Sequence, residues 1–280
     1  MFKLTSNWLA QLPIKNVQSY QPVSGGDINE SFAISDGQTK FFMKVQPNRG
    51  AEFFAHEVEG IKLLGQAANV PTIVDFGEIN GDGFLILKWI EQSSGSQFEL
   101  GQMVAKVHQI HANQFGLDHD FMAGRVPKNN HWQSDWQTFY VNQRLLPLAN
   151  VAKQKGRWNS FREQHFNAMI EQINTYFAKH PTIPSLLHGD LWSGNFTFSG
   201  GQPYLIDPDV YYGDREFDIG VTTVFGGFNQ DFYAGYNSVY PLKKGVEERL
   251  PWYRAYYLLF HLVLFGETYG AGFDNCLKPF

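Results

Sequence analysis

Short hydrophobic runs dominate the first third of the chain, and polar turn residues separate them. The runs cover residues 32–34, 41–45, 73–79 and 84–90 and are rich in the β-branched and aromatic residues that favour strands. Asp-Gly at 36–37 and Asn-Gly-Asp-Gly at 80–83 fall between them. Glycine at such positions permits the positive φ of a tight hairpin. The pattern predicts a small antiparallel sheet.

One helical pattern interrupts these strands. Between Glu52 and Leu64, hydrophobic residues recur every three or four positions, as on one face of an α-helix. A polar stretch rich in glycine and serine, 92–97, follows the last strand and is typical of the exit from a hinge. We therefore predict an N-terminal lobe over residues 1–90 and a C-terminal lobe over residues 91–280.

The second part of the chain has a mainly helical pattern. Hydrophobic stripes run through residues 100–111 and 161–177, and an apolar segment covers residues 255–265. This last segment is too short to span a membrane and indicates a buried helix. A short β-like island, residues 185–206, lies between the helices. The prediction is an α+β fold, with a small antiparallel sheet and one helix in the first lobe and a larger, mainly helical second lobe.

Composition and charge argue against several classes of protein. Lys+Arg 22 against Asp+Glu 27 gives a formal net charge of -5, and no basic block is present to follow a nucleic-acid backbone. The single cysteine, Cys276, excludes an internal disulfide framework and a cysteine-rich zinc site. The sequence shows neither the apolar region of a signal peptide nor an apolar run of membrane-helix length. We expect a cytoplasmic protein without a nucleic-acid or membrane partner.

The strongest chemical signal is His-Gly-Asp-Leu-Trp-Ser-Gly-Asn at 188–195, followed by Asp207. Phosphoryl transfer requires a carboxylate to accept the proton of the attacking hydroxyl, and oxygen ligands for Mg²⁺. Asp190 and Asn195 have the Asp-x-x-x-x-Asn spacing of a protein kinase catalytic loop. We therefore predict Asp190 as the general base, Asn195 and Asp207 as magnesium ligands, and ATP as the phosphate donor. The alternative is an ordinary surface turn, since these are common loop residues.

A weaker signal lies in the first lobe. Lys44 is flanked by apolar residues of a predicted strand, where an unpaired charge is costly. Glu57 shares a face of the predicted helix with apolar residues and is the natural partner, with Glu52 and Glu59 as rivals. In a kinase such a pair holds the lysine on the ATP phosphates. A strand-edge lysine beside a solvated helix is the alternative.

Adjacent glycines, Gly25 and Gly26, precede the first predicted strands, where a phosphate-covering loop would lie. Backbone N–H groups of such a pair can approach a phosphate closely. An ordinary hairpin turn fits the same residues.

Together these motifs resemble the fructosamine kinase family, relatives of the aminoglycoside and choline phosphotransferases. The resemblance rests on the 188–195 string, Ile-Asp-Pro at 206–208, Tyr-Tyr-Gly-Asp-Arg-Glu at 211–216 and Gly-Gly-Asp-Ile-Asn-x-Ser-Phe at 25–32. It implies a bilobal protein kinase-like fold and transfer of phosphate from Mg·ATP to a sugar hydroxyl of a ketoamine. Ketoamines are adducts of a reducing sugar with an amine, so the implied partner is a free or protein-bound glycated amine and the implied role is deglycation.

The resemblance also implies that the backbone of Leu87, Lys88, Trp89 and Ile90 binds adenine. Lys88 stands where similar sequences often carry a carboxylate. Asp209 follows Ile-Asp-Pro, where a small residue is usual. Both departures bear on the choice of acceptor.

The acceptor is expected to bind against the helical lobe. Trp192 and Asp214 are the candidate substrate residues, with bracing of the metal loop as the alternative for Asp214. Trp192 ranks above Trp132 and Trp136, because tryptophan lies more often in the core than in a ligand platform.

Three functions remain open at this point. The first is a ketoamine kinase, the second a related kinase that acts on an aminoglycoside, a choline-like alcohol or another metabolite, and the third a nucleotide-binding relative without catalysis. Retention of every predicted catalytic residue argues against the third. Four acidic residues suggest a cationic or amine-bearing acceptor; they are Asp135, Asp209, Asp214 and Asp218.

Overall fold

The computed structural model describes residues 4–23, 29–123 and 126–280. The strands in chain order are β1 Ser19–Pro22, β2 Glu30–Ser35, β3 Lys40–Gln46, β4 Ile73–Ile79, β5 Asp82–Lys88, β6 Phe121–Ala123, β7 Val126–Lys128, β8 Ser185–Leu187, β9 Phe196–Ser199, β10 Gln202–Leu205 and β11 Tyr211–Gly213. The α-helices are α1 Ser6–Leu9, α2 Glu52–Leu64, α3 Gln97–His108, α4 Trp136–Tyr140, α5 Leu146–Gln154, α6 Ser160–Lys179, α7 Glu216–Thr222, α8 Gln230–Val239, α9 Val246–Phe265 and α10 Gly270–Leu277. A π-helical turn, Val141–Leu145, joins α4 to α5, and a 3-10 turn, Glu267–Tyr269, precedes α10.

The first five strands form one antiparallel sheet in the order β1-β2-β3-β5-β4. The sheet, helix α2 and the mainly helical remainder confirm the predicted α+β fold. Strand β1, which pairs with β2 at the edge of the described sheet, was not predicted, because its exposed residues carry no alternating pattern. Strand β5 ends at Lys88 and α3 begins at Gln97. A lobe boundary near residue 90 stays a prediction.

Alternation along β3 explains why a lysine is buried in this sheet. Phe41, Met43 and Val45 pack on one face against a cluster that includes Trp8. Residues 42 and 44 therefore point to the opposite face, where α2 packs through Phe54, Val58 and Ile61. Lys44 is only 2% exposed on the α2 side, so the fold needs a carboxylate on that helix.

The helical part of the chain is organised around α9, a 20-residue helix with buried positions on most of its circumference. The predicted stripes at 100–111 and 161–177 correspond to α3 and α6. The first stripe ends earlier than predicted, because α3 stops at His108 and His111 forms a β-bridge with Ser185. Within the described ranges, no helix is both long and apolar enough to cross a membrane.

Two short hairpin-like pairs carry the loops of the predicted β-island. Strands β9 and β10 pair through a turn at Gly200 and Gly201, both with positive φ. Strand β8 pairs with β11 rather than with its neighbours in sequence. Because of that pairing, the segment after β10, which contains Asp207, lies beside the segment after β8, which contains Asp190.

Candidate active site

A cleft of about 840 Å³ is lined by residues from both the sheet and the helical part of the chain. The predicted residues that line it are Lys44, Glu57, Leu87, Lys88, Trp89, Ile90, Asp190, Trp192, Asn195 and Asp207. They come from sequence positions far apart, and folding brings them together around one cavity.

The loop after β8, which begins at His188, is held in place by the buried carboxylate of Asp218. Asp218 Oδ2 accepts a hydrogen bond from the His188 backbone N–H (2.7 Å), and Asp218 Oδ1 accepts one from Gly189 (3.0 Å). His108 Nε2 lies 3.0 Å from the same carboxylate. His188 Nε2 donates to Ile206 O at 2.9 Å, which leaves Nδ1 to accept from the Asp190 N–H at 3.3 Å. His188 thus braces the loop, and Asp218 fixes its backbone.

Gly189 is the tightest point of this loop. Its φ is +81°, and a β-carbon there would lie 1.8 Å from Asp209 O. The chain from β10 to β11 therefore passes directly over the loop, and only glycine permits both the backbone conformation and the approach.

Gly189→Ala should lower the free energy of unfolding by about 3 kcal/mol, because the left-handed backbone costs alanine about 1–2 kcal/mol and a forced backbone shift adds about 1–3 kcal/mol. Urea unfolding followed by circular dichroism measures this. Gly200→Ala is the matched control, since its φ is +55° and no atom lies within 4 Å of the added carbon. Equal losses in the two variants would show that the close approach contributes nothing.

Both oxygens of the Asp190 carboxylate are positioned by hydrogen bonds. The Tyr257 hydroxyl donates to Oδ1 at 2.7 Å, and Asn195 Nδ2 donates to Oδ2 at 2.8 Å. Burial raises the pKa of Asp190 above its ordinary value, while the hydrogen bond from Tyr257 opposes that rise. The carboxylate is therefore fixed in orientation and more basic than an exposed aspartate.

Two oxygen atoms near Asp190 suit a hard cation. Asn195 Nδ2 donates to the Asp190 backbone oxygen and to its Oδ2. No described residue donates to Asn195 Oδ1, so this oxygen can face the cleft. Asp207 Oδ1 accepts a hydrogen bond from Lys44 Nζ, which leaves Oδ2 available to a cation. Asp207 has a φ of +53°, a strained conformation of the kind that concentrates at functional sites. One amide oxygen and one carboxylate oxygen match the ligands that Mg²⁺ takes from protein while it keeps several waters.

Lys44 bridges two carboxylates. Its Nζ lies 2.8 Å from Glu57 Oε1 and 2.8 Å from Asp207 Oδ1. Burial by itself would lower the pKa of Lys44, but Asp207 and Glu57 outweigh it and hold that pKa above its ordinary value. The ammonium is therefore charged, and Glu57 rather than Glu52 or Glu59 is its partner on α2.

The stretch Leu87 to Ile90 lies along the sheet side of the cleft. The N–H of Lys88 donates to Thr72 O and that of Trp89 donates to Lys40 O. The N–H of Ile90 donates to no residue that the structure describes, so it is the amide in this stretch that adenine could use. Gly25 and Gly26 lie outside the described residues.

On the acceptor side, Trp192 lines the cleft and lies 6.4 Å, ring centre to ring centre, from Phe225. Trp136 is 1% exposed and donates to the Tyr253 hydroxyl in the core, and Trp132 donates to Asp118. Neither Trp132 nor Trp136 lines the cleft, which agrees with their lower rank.

Asp214 lies away from the cleft. Its Oδ1 accepts from the Glu216 N–H at 2.7 Å, and burial together with the neighbouring Glu216 carboxylate raises its pKa to about 6. This placement is against the predicted substrate role and favours a structural role at the start of α7.

The four acidic residues that suggest a cationic or amine-bearing acceptor do not share one surface. Of these four residues, only Asp209 lines the cleft. Asp135 caps α4 by accepting from Thr138 N–H, and Asp214 and Asp218 are buried in bracing contacts. The other three lie elsewhere because short side chains at helix starts and under loops satisfy backbone N–H groups.

Asp209 forms a buried ion pair that sequence reasoning missed. Its Oδ2 accepts from Lys128 Nζ, and its Oδ1 lies 3.5 Å from His56 Nε2. Burial alone would raise the pKa of Asp209, but the Lys128 ammonium lowers it below its usual range. The pair brings no net charge to the cleft wall. Lys128 lies 81 residues from Asp209, and no local pattern links them.

Tyr257 was also missed. It lies in the apolar segment that the sequence identifies only as a buried helix, beside another tyrosine. Its contact with Asp190 crosses 67 residues. Only a signal that relates α9 to the loop after β8 could have identified it.

The fold and the cleft define a phosphotransferase of kinase-like architecture. The model of the family described as fructosamine kinase matches residues 1–279. A "Probable ketoamine kinase" from Lactiplantibacillus plantarum is 52% identical over 278 residues, which cover 99% of each chain. One from Staphylococcus aureus is 43% identical and covers 95% of this chain and 94% of its own. The chain belongs to the fructosamine kinase family, and it is an enzyme of the kinase class.

Solved structures agree on the fold. A Haemophilus somnus 129PT protein whose name refers to a fructosamine-3-kinase superposes with a TM-score of 0.83 at 29% identity, over 94% of this chain and 91% of that one. The ADP-bound aminoglycoside phosphotransferase APH(2'')-Ib has a TM-score of 0.67 at 15% identity, over 98% and 97% of the two chains. At that identity the second likeness concerns the fold alone.

Proposed function

We propose that this chain transfers the γ-phosphate of ATP to a sugar hydroxyl of a ketoamine, and so acts in deglycation of amines. The observation that carries the proposal is the arrangement in one cleft of the Asp190 carboxylate, the oxygens of Asn195 and Asp207, and the paired ammonium of Lys44. These are the groups that phosphoryl transfer requires from a protein.

In the proposed reaction, Asp190 accepts the proton of the acceptor hydroxyl as its oxygen bonds to the γ-phosphorus. The bond between that phosphorus and the β–γ bridging oxygen breaks, and ADP leaves with the electron pair. Asn195 and Tyr257 hold the carboxylate toward the cleft during this step. Lys44 binds phosphate oxygens of ATP, and Glu57 keeps it in place.

Asn195 Oδ1 and Asp207 Oδ2 would hold Mg²⁺. When bound, the ion supplies positive charge to the phosphate oxygens and so stabilises the charge that develops on them. Asp207 would then offset two positive charges, that of the ion through Oδ2 and that of Lys44, whose Nζ lies 2.8 Å from Oδ1.

Two observations favour a ketoamine over an aminoglycoside acceptor. The relatives named as ketoamine kinases are 52% and 43% identical to this chain, whereas the aminoglycoside enzyme is 15% identical. A polycationic antibiotic would also call for an acidic surface. Of the four acidic residues considered for the acceptor, only Asp209 lines the cleft, and Lys128 neutralises it. Trp192 and Phe225 instead offer ring faces on which a sugar or a secondary ammonium can lie.

A coupled ADP-release assay with Mg·ATP tests the proposal. The panel is fructosyl-lysine, ribulosyl-lysine, kanamycin, choline and no acceptor, with the Asp190→Asn variant as the matched control. Turnover confined to the two ketoamines is the expected result. Turnover on kanamycin or choline alone would refute the substrate class, and equal ADP release without acceptor would refute transfer to a hydroxyl.

Tyr257→Phe tests a positioning role beside the base. Loss of its hydroxyl removes the hydrogen bond that lowers the pKa of Asp190, so that pKa rises. A base works only when ionised, and the acidic limb of the kcat/KM profile should therefore move to higher pH. At neutral pH, kcat/KM should fall about tenfold, the scale of one hydrogen bond to a charged group.

The control for this variant is Tyr233→Phe, which removes a hydroxyl bonded to Thr222 Oγ1 at 3.0 Å, away from the cleft. It should leave the pH profile unchanged. An unshifted acidic limb in Tyr257→Phe would mean that this tyrosine acts on packing only.

A further inference from the structure

Three side chains that the proposed reaction does not use converge beside the cleft. His56 and Glu59 lie three residues apart on α2 and therefore share a face of the helix. His119 comes from the segment that precedes β6. One ligand atom from each of the three lies within 4.8 Å of the others, and His119 Nε2 is 3.0 Å from Glu59 Oε2.

His56 is the unusual member of this cluster. It is 7% exposed, and Phe121 covers one face of its ring at a centroid distance of 3.5 Å. Neither ring nitrogen has a hydrogen-bond partner among the described residues, and the nearest carboxylate oxygen to Nε2, Asp209 Oδ1, lies at 3.5 Å. A buried imidazole with both nitrogens unsatisfied costs free energy, unless something else binds one of them.

The chemistry of the cluster is that of a transition-metal site. Two imidazole nitrogens and one carboxylate oxygen are a ligand set that zinc takes, with bonds of about 2.0–2.2 Å. Ligand atoms on a tetrahedral ion are then about 3.3 Å apart, close to the distance between His119 and Glu59. The Glu59 and Asp118 carboxylates both act on Tyr212, and Asp209, which is paired with Lys128, lies on the other side of His56.

We propose that His56, Glu59 and His119 form a binding site for a divalent transition metal ion, Zn²⁺ being the ion that fits best. His56 Nδ1 is the ligand atom and Nε2 points to Asp209, since metal-bound histidines commonly give their second nitrogen to a carboxylate. A solvent molecule completes the shell on the exposed side, where 44% of the His119 side chain is accessible.

The site has a structural consequence. Helix α2 also carries Glu57, which holds Lys44. An ion bound by His56 and Glu59 of that helix and by His119 ties α2 to the segment before β6. Occupancy therefore restrains the helix that positions the lysine, without the ion taking part in phosphate transfer.

Direct metal binding tests this independently of any kinase activity. Tag-free, EDTA-treated full-length protein is titrated with Zn²⁺ against a chromophoric chelator, in excess Mg²⁺ so that the Asn195 and Asp207 oxygens are not the sites measured. The expected result is one Zn²⁺ per chain and a rise in Tm on loading. The visible spectrum of the Co²⁺-loaded protein should be that of a four-coordinate ion.

His119→Gln and Glu59→Gln should each weaken Zn²⁺ binding by about 10–100-fold or more. That is the loss of affinity seen when a residue that only hydrogen-bonds to a metal ligand is replaced, and loss of a ligand itself should cost at least as much. The matched control is His131→Gln, which removes another exposed histidine near a carboxylate, 3.8 Å from Asp120. Cys276→Ser controls for the thiol. Binding that is absent in the parent protein, or that survives both His119→Gln and Glu59→Gln, overturns the proposal, whereas an inactive kinase that still binds Zn²⁺ at this site leaves it intact.

Discussion

Replacing Asp190 by asparagine should lower kcat by about 10²–10⁴, the scale of a positioned general base, with little change in ATP binding. The amide has the shape of the carboxylate but cannot accept the proton of the acceptor hydroxyl. Asp190 is singled out because Tyr257 and Asn195 each hold one of its oxygens. The measurement is steady-state ADP release at saturating Mg·ATP and acceptor, with ATP affinity determined separately by calorimetry.

Asp231→Asn is the matched control for this variant, because Asp231 is exposed in the first turn of α8, far along the chain from the catalytic loop. It should be as active as the parent protein. If Asp190→Asn kept near-parental kcat, another group would have to be the base, and the proposed mechanism would lose its central step.

Asp207→Ala should abolish measurable Mg²⁺-dependent turnover. The substitution removes one of the two oxygen ligands proposed for the ion and one of the two carboxylates that hold Lys44. Charge stabilisation by a bound metal amounts to several kcal/mol, so the loss in kcat should be about 10³-fold or greater. A Mg²⁺ titration of activity and of ATP binding is the measurement.

The two effects of Asp207 can be separated with Glu57→Gln. That variant removes the other carboxylate on Lys44, at 2.8 Å, and leaves both proposed metal ligands in place. We expect it to weaken ATP binding while the Mg²⁺ concentration for half-maximal activity stays unchanged. If Asp207→Ala retained parental Mg²⁺ dependence, the assignment of this residue to the metal would be wrong.

Each buried lysine of the site is paired with a carboxylate. Lys44 is matched by Glu57 and Asp207, and Lys128 by Asp209. Buried charges are tolerated only when paired, and removal of one partner is costly. The Asp207→Ala and Glu57→Gln variants should therefore be checked for folding, since each removes one of the two carboxylates that contact Lys44.

The predicted elements that proved accurate have strong local signals. Helix α2 runs from Glu52 to Leu64, as its hydrophobic spacing predicts. Strand β3 buries Phe41, Met43 and Val45 on one face, so its alternation also gives the direction of Lys44. The partner of Lys44 could also be predicted from the sequence. Strand β3 packs against α2, and Glu57 lies on the face of α2 that points toward the sheet.

Elements without a local pattern were missed. Strand β1 is exposed at every position and is defined only by its pairing with β2. The short strand β11 is defined by its pairing with β8. Such pairings depend on where the rest of the chain places the two segments, and three residues are too few to show a period.

The sequence by itself determined the α+β fold, the family and the string at 188–195 that we propose to be catalytic, because periodicity and a contiguous motif are properties of neighbouring residues. Only the tertiary structure decided which side chains surround Asp190. Tyr257, Lys128 and His56 reach the cleft from three separate elements, and Asp214 and Asp218 turn away from it to satisfy backbone N–H groups. Short polar side chains look alike in a sequence, and what each one binds is set by the donors and acceptors that folding brings within about 3 Å.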